Sequence, residues 1–171
     1  MIVALAFILA FRQAPATTVD ACSLLTPAEI HAVLGETPAD PKGTSQSSGG
    51  LLLFECVFGA ASRRAISVAV AGPASSGPAR LTPREFWERQ FHQSEDNGRD
   101  GRGEPEGHAE NRPRPIAGIG DEAFWAGNRI AGALYVLRRD TFLRISIGGI
   151  ANEQERIEKS KALARAAIRR L

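Results

Sequence analysis

The sequence predicts an α+β fold: one antiparallel sheet of about five strands, with helices packed on one face. Three observations lead there. Two helix starts are spelled by nearly the same hexapeptide, LTPAEI at 25–30 and LTPREF at 81–86. Runs of alternating apolar residues follow each of them, joined by links of hairpin length, whereas parallel crossovers need about a dozen residues or more. The 171 residues suffice for one real core and are too few for two ordinary domains, so 17–171 is read as a single domain.

Each hexapeptide carries Thr at the N-cap, Pro at N1 where its missing N–H costs nothing, and Glu at N3 to close a capping box. The first helix is therefore expected over 27–34, ending at Gly35, and the second over about 83–93. A loop rich in Pro, Ser and Gly is expected over 36–49. Strands follow at 51–58 and 65–71, joined by GAASRR. In the first of these, Leu52, Phe54, Cys56 and Phe58 share a face opposite Glu55, which turns Cys56 into the core.

Residues 94–115 hold no periodic apolar residue and read as a mobile surface loop. Strands are then expected at 122–125, 130–137 and 141–147, the last two turning at Arg139-Asp140. A closing helix over about 153–170 has Asn152 as its N-cap. Its acids sit at the start and its bases at the end, as the helix dipole favours, and Ile157, Ala164, Ile168 and Leu171 form its apolar stripe. The expected order is αββ-αβββ-α. The repeated LTPxE fits either an old duplication or two good caps.

Residues 2–11, IVALAFILAF, are an unbroken apolar run of ten, the length of a signal-peptide core and about half of what spans a bilayer. Ala14 and Ala16 supply the small residues of a cleavage site, so residues 1–16 are expected to be removed, leaving Thr17 first. No Lys or Arg precedes the run. Either the α-amino group alone supplies the positive end, or translation starts upstream. A periplasmic or secreted location follows.

An even cysteine count in an exported chain favours pairing of Cys22 with Cys56. The competing reading is a lipobox, Val19-Asp20-Ala21-Cys22, which would tie the protein to a membrane. Its Asp20 stands where small uncharged residues are usual, and ten residues separate Cys22 from the apolar run. The disulfide is the expectation.

The formal net charge is only +2, so no strong field draws the chain toward nucleic acid. Of 21 basic residues only Lys42, Lys159 and Lys161 are lysines, a compositional bias rather than a phosphate-binding pattern. His92, Glu95, Asp96 and His108 could be drawn as a metal site, but no metal-ligand spacing supports it, and no cofactor is expected. No G-x-S-x-G is present. Gly118-Ile119-Gly120-Asp121 precedes a strand instead of opening a helix, so it cannot present helix N–H groups to a pyrophosphate.

The segment from Pro115 to Trp125 is the best candidate for something specific. Two glycines permit a sharp entry, then come the carboxylates of Asp121 and Glu122 and the aromatic pair Phe124-Trp125. Asp121, Glu122 and Trp125 are therefore the candidate contacts for a ligand or partner, although a tryptophan is more often core than platform.

The opening Cys22-Ser23-Leu24-Leu25-Thr26-Pro27-Ala28-Glu29 with Val33-Leu34-Gly35, the second cysteine inside a strand and the later GIGDEAFW resemble a group of exported bacterial envelope proteins of unknown function, many of them lipoproteins. The resemblance covers roughly residues 20–150 and implies an envelope location without established catalysis. It offers no functional residue to carry over. The expected function is a non-enzymatic binding module for an envelope or secreted protein or a small ligand. The alternative is a small hydrolase using Asp121, Glu122 and a histidine brought near by folding.

Overall fold

The computed structural model describes residues 19–48, 51–60, 64–73, 81–92 and 112–171. The expected signal peptide and most of the expected 94–115 loop lie outside them.

The elements run α1 (Pro27–Leu34), β1 (Lys42–Ser48), β2 (Leu51–Gly59), β3 (Ala65–Pro73), α2 (Pro83–Trp87), a π-helical turn (Glu88–His92), β4 (Arg114–Pro115), β5 (Glu122–Gly127), β6 (Gly132–Arg138), β7 (Thr141–Ile147) and α3 (Glu153–Ala167). Short 3₁₀ turns stand at Ala21–Ser23 and Ile168–Arg170. All strands join one antiparallel sheet in the order β1-β2-β3-β7-β6-β5-β4. The α+β class and the antiparallel sheet agree with the sequence reading.

The strand number does not. Among the described residues, seven strands replace about five, and the order becomes αβββ-αββββ-α. One addition, β1, falls in the expected 36–49 loop. Its sequence KGTSQSS has no apolar residue to alternate, because an edge strand forms by backbone pairing with β2 and buries no face of its own. The other, β4, is two residues paired with Trp125 and Phe124, too short for any period to register.

Placement of the helices also differs from expectation. On one sheet face, α1 and α3 cover Cys56, Phe58, Val68, Val70, Leu134, Val136, Leu143 and Ile145. On the other, Trp87 and Phe91 of α2 and the π-helical turn bury Leu51, Ala71, Phe124, Leu137 and Phe142. The helices thus occupy both faces. The physical reason is that β2, β5, β6 and β7 carry large apolar residues at odd and even positions alike, so both faces need cover.

Local signals at the helix ends are realised. Thr26 and Thr82 each accept from the N3 backbone while Glu29 and Glu85 reach back to the N-cap N–H. Gly35 closes α1 at φ 78°, a left-handed conformation that Gly adopts without strain. Cys22 and Cys56 form a disulfide that ties the N-terminal 3₁₀ turn to β2, in the middle of the larger core. Both cysteines are used in this bridge. Among the described residues, no helix is long and apolar enough to cross a membrane.

Candidate functional site

The second helix loosens after one α-helical turn. Residues Glu88–His92 take a π-helical path, a rare local geometry that recurs at functional sites. Phe91 stays buried, its ring stacked on Phe124 at 4.8 Å and tilted against Trp87 at 4.4 Å. His92, the next residue, reaches the start of β5.

There the Nε2 of His92 lies 2.8 Å from Oε2 of Glu122, and the Nε1–H of Trp87 donates to the same oxygen at 2.8 Å. A second carboxylate, Glu88, stands 3.9 Å from the imidazole. Burial raises the Glu122 pKa, but the hydrogen bonds from Trp87 and His92, with the charges of His92 and Arg84, outweigh it and hold the carboxyl below its ordinary value. Glu122 is therefore a carboxylate with two fixed donors near neutral pH.

Between β4 and β5 the chain makes a wide loop, Ile116–Asp121, pinned at both ends. The Ile116 N–H donates to Ala123 O at 2.8 Å and the Asp121 N–H to Leu137 O at 2.8 Å. Gly118 and Gly120 both have positive φ, and a Cβ on Gly120 would collide with the Leu137 carbonyl and Val136. These two glycines set the path of the loop. Its inner side, with His92, Glu122 and Phe124, lines a groove of about 430 Å³.

The three residues singled out from sequence do not form one cluster. Glu122 lines the groove beside His92. Asp121, also at the rim, is tied to the β6–β7 turn: its carboxylate accepts from the Arg139 N–H at 2.6 Å and from Arg138 at 3.1 Å. The Arg139 N–H, opposed by partial desolvation and aided by the Arg138 guanidinium, holds the Asp121 carboxyl below its usual range. Trp125 is fully buried on the other sheet face, where its Nε1–H donates to Glu153 at 2.8 Å. Its adjacent position in sequence reflects strand alternation, which sends neighbours to opposite faces.

The sequence places Trp87 and His92 on the expected 83–93 helix but gives neither a partner. The available signal was their spacing. Trp87 and His92 lie five residues apart, the i→i+5 hydrogen-bond span of a π-helix, and both turn toward Glu122. His108, Glu95 and Asp96 of the imagined metal set lie outside the described residues. His31 sits on α1, exposed and 3.5 Å from the Thr37 hydroxyl. Among the described residues, no cluster of three or more His, Cys, Asp or Glu side chains could hold a metal ion.

No protein-family model matches the chain, and no curated protein matches it. Among solved structures, the extracellular domain of PknH from Mycobacterium tuberculosis is similar at a TM-score of 0.46, with 10% identity, over 86% of this chain and 94% of that one.

Proposed function

We propose that this chain is an exported, disulfide-stapled binding module of the cell envelope or secreted space, and that its ligand or partner contacts the groove between His92 and the Ile116–Asp121 loop. The observation that carries this reading is the groove itself, set beside a π-helical turn and a carboxylate with fixed donors. The Cys22–Cys56 disulfide supports export, since such bonds persist in oxidising compartments. Among the described residues lining the groove, His92, Asp121 and Glu122 are the ones with ionisable side chains.

A photo-crosslinking residue at Ala117, on the exposed rim, tests the reading in native envelope extracts. A defined adduct is expected there and not at Ala162, on the exposed face of α3. Repeated absence of any adduct at Ala117 contradicts it.

A second reading is favoured by one observation. The 2.8 Å contact of His92 with Glu122 supplies the histidine–carboxylate pair that a small hydrolase needs for general acid–base work on a water. Here Glu122 would orient His92, with Asp121 committed to the Arg138-Arg139 turn. Turnover of ester, peptide or glycoside probes that disappears in Glu122→Gln and His92→Ala supports this reading. Turnover untouched by both changes removes it.

A further inference from the structure

Of the seven strands, β7 is the central one, and the register sets Glu55 of β2, Ala69 of β3, Arg144 of β7 and Tyr135 of β6 in one row across the sheet. This row lies on the α2 face, next to the part that Trp87 and Phe91 cover. An arginine at mid-sheet needs partners, and its neighbours meet the need only in part. The Nε–H of Arg144 donates to the Tyr135 hydroxyl at 3.3 Å, and the guanidinium stands 6.0 Å from the centre of that ring. The nearest Glu55 oxygen is 3.9 Å from Nη1, too far for a hydrogen bond, and that oxygen takes the Ser67 hydroxyl instead. Among the described residues, neither terminal nitrogen of Arg144 makes a hydrogen bond.

Beside the guanidinium the sheet carries small side chains. Ala126, Gly132, Ala133 and Ser146, with Tyr135 and Arg144, line a depression of about 380 Å³. We infer that this depression binds an organic carboxylate, its two oxygens paired with the terminal N–H groups of Arg144 and its body lying on the small-residue floor against Tyr135. A planar guanidinium presents two parallel donors that match a carboxylate. The Tyr135 bond to Nε fixes the plane of the fork before anything binds. Glu55, 3.9 Å behind it, already offsets much of the guanidinium charge and repels a phosphate dianion more than a monoanion, so the fork geometry and not net charge must select the ligand. The site lies on the sheet face and is separate from the groove at Glu122, so the two stand or fall independently.

The test follows the Arg144 Nε–H resonance of the full mature chain during titration with benzoate, N-acetyl-dialanine, the C-terminal amide of that peptide, and inorganic phosphate. Saturable shifts are expected for the two carboxylates, none for the amide and weaker binding for phosphate. Arg144→Lys keeps the charge but loses the fork; followed by the backbone amide resonances of β6 and β7, it should bind carboxylates at least about tenfold more weakly. Tyr135→Phe, which frees the guanidinium plane, should weaken it by a smaller factor. Binding of the amide equal to that of the acid, tighter binding of phosphate, absence of any saturable shift, or unchanged affinity in Arg144→Lys would each overturn the assignment.

Discussion

The imidazole of His92 and the indole of Trp87 meet on one oxygen of Glu122, each at 2.8 Å. The last residue of α2 and the last residue of the π-helical turn are thereby fixed to the first residue of β5. This joins the helix on the α2 face to the wall of the groove through one carboxylate.

Trp87 makes that shared role measurable. Trp87→Phe keeps most of the buried ring but removes one donor from Glu122, and should cost about 1–2 kcal/mol in urea unfolding. Trp87→Ala removes the whole buried side chain and should cost about 3–5 kcal/mol. A loss near zero in Trp87→Phe would mean that the Glu122 bond contributes nothing.

Glu29 serves two elements. One oxygen accepts the Thr26 N–H at 2.9 Å in the capping box of α1, and the other accepts from Arg170 at 3.0 Å, beyond the end of α3. Burial opposes ionisation, but the bonds from Arg170 and Thr26 prevail and lower the pKa from 4.5 to about 2. A depressed carboxyl contributes stability above its unfolded pKa and loses it as pH falls through the folded value. Acid titration of stability should therefore fall between pH 4.5 and about 2. In Glu29→Gln that fall should be shallower, which urea midpoints across the range will show.

The disulfide closes a sequence separation of 34 residues. Chain entropy puts its contribution at about 3–4 kcal/mol, so Cys22→Ala with Cys56→Ala should lose roughly that much. A loss below about 1 kcal/mol would indicate that the unfolded chain is already compact there.

How much of this was readable from the chain depended on whether the cause was local. The ends of α1 followed from Thr26, Pro27, Glu29 and Gly35, because capping groups act within one turn. The inward position of Cys56 followed from strand alternation, and β7 matched its expected bounds at Thr141–Ile147. The edge strand Lys42–Ser48 was invisible because its reason to be a strand is a partner, not a pattern. The same holds for Trp125, whose burial against Glu153 depends on where α3 begins, and for His92, which needed Glu122 to give it a role.

Arg156 is a further residue that periodicity hides. It is buried on α3, and its guanidinium donates to the carbonyls of Ile130 at 2.8 Å, Ile150 at 3.0 Å and Asn128. The Asn128 and Ile130 bonds clamp the β5–β6 turn, and the Ile150 bond holds the β7–α3 connection to it. Arg156→Met leaves the carbonyls without that donor and should cost about 2–4 kcal/mol. Amide exchange at the turn should also accelerate, and unchanged exchange there would refute the clamp.

Gly132, in the same hairpin, faces the Trp125 ring so closely that a Cβ would overlap it. Gly132→Ala should destabilise by about 1–3 kcal/mol, with a change in Trp125 near-ultraviolet dichroism.

The central claim is an exported domain held by the Cys22–Cys56 bridge. Intact-mass and N-terminal analysis of the chain isolated from its native cells tests it most directly. The account predicts a chain that begins at Thr17, is recovered from the envelope or medium, and gains the mass of two hydrogens on reduction. A reduced chain retaining Met1 in the soluble cytoplasmic fraction would contradict it.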